Sequence, residues 1–259
     1  MRARFKTLTV GLVLATAAMA GCSSTTAGSS GAVQDDASSA AASSSAASTG
    51  PASAPASSSA ASTSPAPSCA DGGVCVLGDT GPGGGVVFYV ASTPWGTADP
   101  FSAPGTVCDN NCIYLEAALS NQGPTAWCAS GPGSASGFYV DAPGTVIGSG
   151  YLNTQAMLGT TNSPPTTICA GGAAQVASTP TGGLTDWYLP AEDELIALYQ
   201  ASSPNGGVEI DGTGTQSFWG STADSANYAM AYCLNVNTGR AAECDKTQDA
   251  AGVLQVRAF

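Results

Sequence analysis

The chain is 259 residues long, has no histidine, and sets six Lys and Arg against eighteen Asp and Glu, a formal charge of −12. Three of the six cations are Arg2, Arg4 and Lys6, so beyond residue 21 three cations face eighteen acids, a poor composition for binding nucleic acid or anionic lipid headgroups. The missing imidazole also excludes Ser-His-Asp and Cys-His catalysis and any histidine-ligated zinc site.

In chain order, Met1–Lys6 is a positive segment and Thr7 to Met19 an apolar stretch of thirteen residues, short of the ~20 that a membrane-crossing helix needs. Met19-Ala20-Gly21-Cys22 follows, small residues directly before a cysteine, and the whole reads as a secretory signal over residues 1–21. It resembles a bacterial lipoprotein signal, with Met19 in place of the usual Leu. That resemblance implies that Cys22 is diacylated, becomes the new N-terminus and holds the chain on the outer side of the cell membrane. Two acyl chains make a stable anchor where one does not.

Residues 22–68 are almost wholly Ser, Ala, Thr, Pro and Gly, which cannot bury enough apolar surface to offset the entropy of ordering. Such a segment is expected to act as a tether with a root-mean-square span of about 35–40 Å. Its Ser/Thr/Pro content also resembles O-glycosylated stalks. The remainder, residues 69–259, is long enough for one domain with its own core.

Within that domain, Leu77-Gly78-Asp79-Thr80-Gly81-Pro82-Gly83-Gly84-Gly85 reads as a glycine-rich turn running into a strand near 85–91. A phosphate-cradling loop would be followed by a helix; β-branched and aromatic residues follow here. Another strand is expected near 113–118, and helices near 151–159, 166–177 and 190–201. In the last of these, Pro190 suits a first turn and Glu192, Asp193 and Glu194 suit the positive end of the helix dipole. Leu195, Leu198 and Tyr199 then mark one apolar face. Further strands are expected near 216–220, 227–236 and 252–258. Helices grouped in mid-chain among short strands predict an α+β domain.

Eight cysteines lie in the domain, an even number that in an exported chain predicts four disulfides. A two-residue Thr238-Gly239 loop would set Asn237 against Arg240 and Cys233 opposite Cys244, within disulfide reach; a three-residue loop would slip the pairing by one. Cys69 with Cys75 and Cys108 with Cys112 look like local clasps, which leaves Cys128 with Cys169. The oxidising compartment and the lack of a second cysteine pair at metal spacing weigh against zinc at Cys108 and Cys112.

Several blocks together resemble the Lcl C-terminal domain family, a domain of unknown function named after a collagen-like adhesin. They are the glycine-rich opening, Tyr114-Leu115-Glu116-Ala117-Ala118, Ile147-Gly148-Ser149-Gly150, Asp186-Trp187-Tyr188-Leu189-Pro190 with Asp193-Glu194-Leu195, Phe218-Trp219-Gly220-Ser221-Thr222 and Val256-Arg257-Ala258-Phe259. The likeness runs from about Leu77 to Phe259, with Gly220 where members usually carry Ser. It implies a compact α+β domain akin to the C-type-lectin-like fold, working at the cell surface. The named member binds sulfated glycosaminoglycans; that ligand does not transfer, because residues 69–259 hold three cations against sixteen acids.

The function expected is therefore binding, of a neutral glycan or a protein, with no cofactor and no metal. Trp95, Trp127, Trp187 and Trp219, with Asp186, are the candidate ligand contacts, since an exposed indole beside a carboxylate can stack a sugar ring and accept its hydroxyls. The alternatives are a hydrolase using two of Glu116, Asp186, Glu192 and Glu194, and a passive role in the envelope. Oxygen ligands for calcium occur at Asp109-Asn110-Asn111 and Glu209 to Gly214, but neither run matches an EF-hand loop.

Overall fold

The computed structural model describes residues 66–92, 99–164, 166–202, 216–247 and 251–259, all within a unit spanning Ala61–Phe259. Cys22, Trp95, the Glu209–Gly214 run and nearly all of the tether lie outside the described residues. The described chain is mixed helix and sheet, mostly sheet. Its strands are β1 (Val86–Val90), β2 (Phe101–Ala103), β3 (Asp109–Cys112), β4 (Tyr114–Ala117), β5 (Pro124–Thr125), β6 (Ser217–Ala223), β7 (Met230–Asn235), β8 (Arg240–Asp245), β9 (Ala251–Gly252) and β10 (Val256–Ala258). The helices are α1 (Gly150–Leu158), α2 (Ala173–Ala177) and α3 (Glu192–Ser202). None of them is long and apolar enough to cross a membrane.

The strands form a three-stranded sheet in the order β1-β4-β10, a β2-β3 pair, and a five-stranded sheet in the order β5-β9-β6-β7-β8. Pairing is antiparallel except between β6 and β9. The last nine residues stitch the two larger sheets together: β9 lies in one, β10 in the other, and residues 251–258 are all buried. The continuous strand expected over 252–258 is broken because the chain changes sheets at Val253–Gln255. There the Gln255 amide donates to Ala177 O at 3.0 Å and Thr179 O at 2.8 Å, satisfying carbonyls that the end of α2 leaves open.

Strand β1 is apolar on both faces for a reason visible in the packing. Phe88 belongs to the cluster with Leu115, Leu195, Leu198 and Val256, while Val87 turns the other way onto Cys69 and Cys75. A second large cluster joins Trp127, Met157, Leu189, Trp219 and Val253 with the Cys128 and Cys169 pair.

Helix α1 ends at Gly159, whose φ of 76° permits the left-handed turn that closes it. The helix expected over 166–177 is reduced to its last five residues, because Gly171 and Gly172 take φ values of 75° and 98° and Cys169 is held by Cys128. Helix α3 starts two residues after Pro190. Glu194, its third residue, returns its carboxylate to the Ala191 N–H at 2.7 Å, half of a capping box.

Four disulfides form: Cys69–Cys75, Cys108–Cys112, Cys128–Cys169 and Cys233–Cys244. The β7–β8 register differs from expectation. Asn235 faces Arg240 and Cys233 faces Ala242, so Cys244 sits diagonally from Cys233, at a Cα–Cα distance of 5.9 Å. The loop is longer than two residues because the Asn235 side chain accepts the Asn237 and Thr238 N–H groups at 3.0 and 3.2 Å and draws them into the turn.

Candidate functional site

Four blocks singled out in the sequence meet inside the protein: the glycine-rich loop and the segments carrying Glu116, Asp186-Trp187 and Arg257. Glu116 on β4 is fully buried and accepts the Gly83 N–H at 3.0 Å and the Gly85 N–H at 3.1 Å. Arg257 on β10 reaches it with Nη1 at 2.9 Å, and the Arg257 Nε donates to Asp186 Oδ1 at 2.6 Å. A Cβ on Gly83 would lie 2.6 Å from the Trp187 ring and 2.8 Å from Glu116 Oε1. The glycine-rich loop is thus a cradle for a buried carboxylate: a side chain at Gly83 would have no room between Glu116 and Trp187, and Gly84 supplies a φ of 78° in open space.

This geometry corrects most of the ligand contacts expected from the sequence. Trp127, Trp187 and Trp219 are at most 1% exposed, and each spends its indole N–H on a backbone carbonyl: Gly220, Thr181 and Thr125 respectively, at 2.7 to 2.8 Å. No sugar can stack on them. Asp186 holds Arg257 with one oxygen, and its other oxygen is buried without a hydrogen-bond partner among the described residues. The block that looked like a ligand platform is a structural ion cluster.

Glu194 is equally committed. It is fully buried and accepts the Ala191 N–H, the Gly148 N–H at 2.8 Å and the Tyr188 hydroxyl at 3.2 Å. Burial pushes its carboxyl up to about 7, against the pull of those hydrogen bonds. The same burial and the Glu194 charge hold the Tyr188 hydroxyl well above its ordinary value. Lys246 is 1% exposed, its ammonium has no hydrogen-bond partner among the described residues and lies 4.9 Å from the centre of the Trp127 ring. Burial pulls that amine down to about 8.

Groups free to meet a ligand occur elsewhere. Residues 138–141, on the coil between a short 3-10 turn (Pro132–Ser134) and α1, face Thr161 and Asn162 beyond the end of α1 across a cleft of about 160 Å³. Tyr139 leans on Tyr228, ring centres 5.2 Å apart at 44°, and Phe138 and Tyr228 are 36% and 42% exposed. The Ala223 N–H bonded to Ala142 O at 2.8 Å ties this coil to the end of β6 and so fixes its position. Asp141 is exposed, and its carboxylate makes no hydrogen bond or ion pair with any described residue; nor do the Tyr139 and Tyr228 hydroxyls. Partial burial, then Asp141, then Tyr228 raise the Tyr139 hydroxyl, so the Asp141 field reaches it.

Such a cleft can stack one ring and offer acceptors to its hydroxyls or donors. At about 160 Å³ it falls below the ~300 Å³ at which pockets for drug-sized molecules begin, so it fits one ring rather than a whole oligomer. None of its aromatic residues was among the sequence candidates. Phe138 and Tyr139 fall in no expected element, and that was the available signal: two adjacent aromatics in a Gly/Ser/Pro-rich coil with no periodicity to bury them.

Among the described residues no group of three or more Asp, Glu or Cys is placed to hold a metal ion. The Asp109 carboxylate instead accepts the Gly105 N–H at 3.3 Å and the Asn110 amide at 2.8 Å, closing the β2–β3 turn.

No protein-family profile matches the chain, and no curated protein sequence matches it. Among solved structures, a fimbrial protein from Bacteroides ovatus is similar over 66% of this chain and 42% of its own, with 15% identity and a TM-score of 0.40. The chain therefore spans less than half the length of that protein.

Proposed function

We propose that this chain is an extracytoplasmic lipoprotein, anchored in the bacterial membrane through acyl chains on Cys22, whose domain binds a glycan at the Phe138–Asp141 cleft. One observation carries the reading. Among the described residues Asp141, Tyr139 and Tyr228 keep their polar atoms uncommitted beside aromatic faces that reach solvent, whereas Glu116, Glu194 and one oxygen of Asp186 are spent on the fold inside the core. The tether of residues 22–68 would hold that cleft some tens of ångströms from the membrane. We read the domain as C-type-lectin-like on the Lcl resemblance. Mixed helices and antiparallel strands, with β1 and the terminal β10 both paired to β4, are compatible with that assignment.

Charge supports a ligand other than a sulfated polyanion. Of the three cations in the domain, Arg257 is paired inside and Lys246 is buried, which leaves Arg240 as the exposed one among the described residues. The carboxylate-pair hydrolase is the weaker alternative, because Glu116 and Glu194 are fully buried and hydrogen-bonded to backbone N–H groups. A glycan array probed with the oxidised protein, with and without calcium, tests the proposal. Specific glycan binding that Tyr139→Ala removes supports it; a blank array, or binding indifferent to Tyr139, contradicts it.

A further inference from the structure

The chemistry around the cleft says more about the ring it takes. Asp141 is its one charged lining residue, and no described cation offsets it. Arg240 lies at the turn end of the β7–β8 hairpin, away from the Tyr228 end. Lys246 starts close by, its backbone N–H bonded to Ala229 O at 3.0 Å, but it sends its ammonium inward over Trp127. Arg257 is held by Glu116 and Asp186. An unpaired carboxylate beside aromatic faces repels carboxylated or sulfated rings and favours a ligand that brings a positive charge, which the lining rings of Phe138 and Tyr139 also attract through their faces. On the opposite wall, Asn162 uses its amide nitrogen on Thr166 O at 3.4 Å and leaves its carbonyl oxygen to accept.

Building on the glycan-binding reading, we propose that the cleft selects a pyranose carrying a free ammonium group, an amino sugar without its acetyl cap. The ring stacks on Tyr139, the ammonium pairs with Asp141, and Asn162 and Thr161 serve the hydroxyls. An acetyl group would remove the positive charge and leave the carboxylate with no charged partner.

The test titrates the oxidised full chain with three probes: a glucosamine tetramer, the N-acetylglucosamine tetramer and a glucose tetramer. The glucosamine tetramer is expected to bind roughly 1.5- to fivefold more tightly than either neutral probe at moderate salt, the range an exposed ion pair supplies. Asp141→Asn is expected to bring that ratio close to one, while Glu243→Gln, an acid on β8, leaves it unchanged. If Asp141→Asn keeps the preference, or Tyr139→Ala keeps it, the attraction is that of an acidic surface at large and the inference is wrong. Equal binding of all three probes, lost in Tyr139→Ala, overturns the amino-sugar preference and leaves the glycan-binding reading standing. If none of the probes binds but a lysine-rich peptide does, in a manner dependent on Asp141, both readings fail in favour of a protein partner.

Discussion

Trp127 and Trp219 each donate the indole N–H to the segment that carries the other. Trp127 bonds Gly220 O at 2.7 Å, next to Trp219, and Trp219 bonds Thr125 O at 2.7 Å, two residues before Trp127. The two side chains lace the start of the five-stranded sheet to its centre, with both rings fully buried.

The expected cost of cutting this lacing is large. Trp219→Ala should destabilise the domain by about 3–5 kcal/mol, the range for deleting a buried aromatic. Trp219→Phe keeps most of the packing but leaves Thr125 O without its donor, a loss of about 1–3 kcal/mol. Urea unfolding of the oxidised protein measures both; a Trp219→Ala protein as stable as the wild type would refute the structural role.

The Glu116–Arg257 pair leads to a second expectation. Arg257→Met alone strands a buried carboxylate and should cost about 3–5 kcal/mol, as should Glu116→Gln to a lesser degree, since the Gly83 and Gly85 N–H groups still find an acceptor. In the double variant the losses should add to less than their sum, because no charge is then left unpaired on that side. Strict additivity in the double-mutant cycle would mean that the two residues do not act together.

Stability should pass through a minimum near neutral pH. Glu194 rises from an ordinary 4.5 to about 7 in the fold, so the folded chain keeps a proton that the unfolded chain releases between those values. Its contribution is whole below about 4.5 and lost as pH rises through about 7. Half-buried Glu192, also raised by burial and then by Asp193, acts in the same direction. Lys246 falls from 10.5 to about 8, so the unfolded chain binds more protons between those values and stability climbs with pH over that window. Urea midpoints taken across the range should show both limbs. Glu194→Gln should flatten the acid limb, and Lys246→Met the alkaline one while raising the midpoint at neutral pH. A profile without either limb would contradict the assignment.

The disulfides should differ in weight by the loop that each closes. Cys128–Cys169 spans 41 residues and its loss should cost about 4 kcal/mol; Cys108–Cys112 spans 4 and should cost about 2 kcal/mol. Paired Cys→Ser variants compared by thermal unfolding give the order, and a reversed order would point to native-state contacts outweighing chain entropy.

Much of the fold was legible because its signals are local. β-Branched and aromatic runs marked β1, β4, β6 and β7, and helix α3 announced itself through its acidic first turn. The short strands β2, β3 and β5 carry no such pattern; Asp109-Asn110-Asn111-Cys112 pairs with β2 through backbone contacts that composition does not encode. The Cys233–Cys244 pairing was reached through a register that the hairpin does not adopt, since opposite and diagonal positions on one face both bring cysteines within bonding distance. Three of the four candidate tryptophans turn out to be buried, for a physical reason. Tryptophans and acids in strongly patterned blocks draw attention, yet the same patterning is what folds them inward. Phe138, Tyr139, Asp141 and Tyr228 become neighbours only when the Ala223–Ala142 hydrogen bond sets the coil before α1 against the end of β6.

The most direct test of the binding account is amide chemical-shift mapping of the protein titrated with an amino-sugar oligomer. Shifts concentrated at 138–141, 161–162 and 228, with the amides of Gly83, Gly85 and Asp186 unmoved, are what the account predicts. Shifts centred on the Gly83–Trp187 blocks instead, or none that saturate, would contradict it.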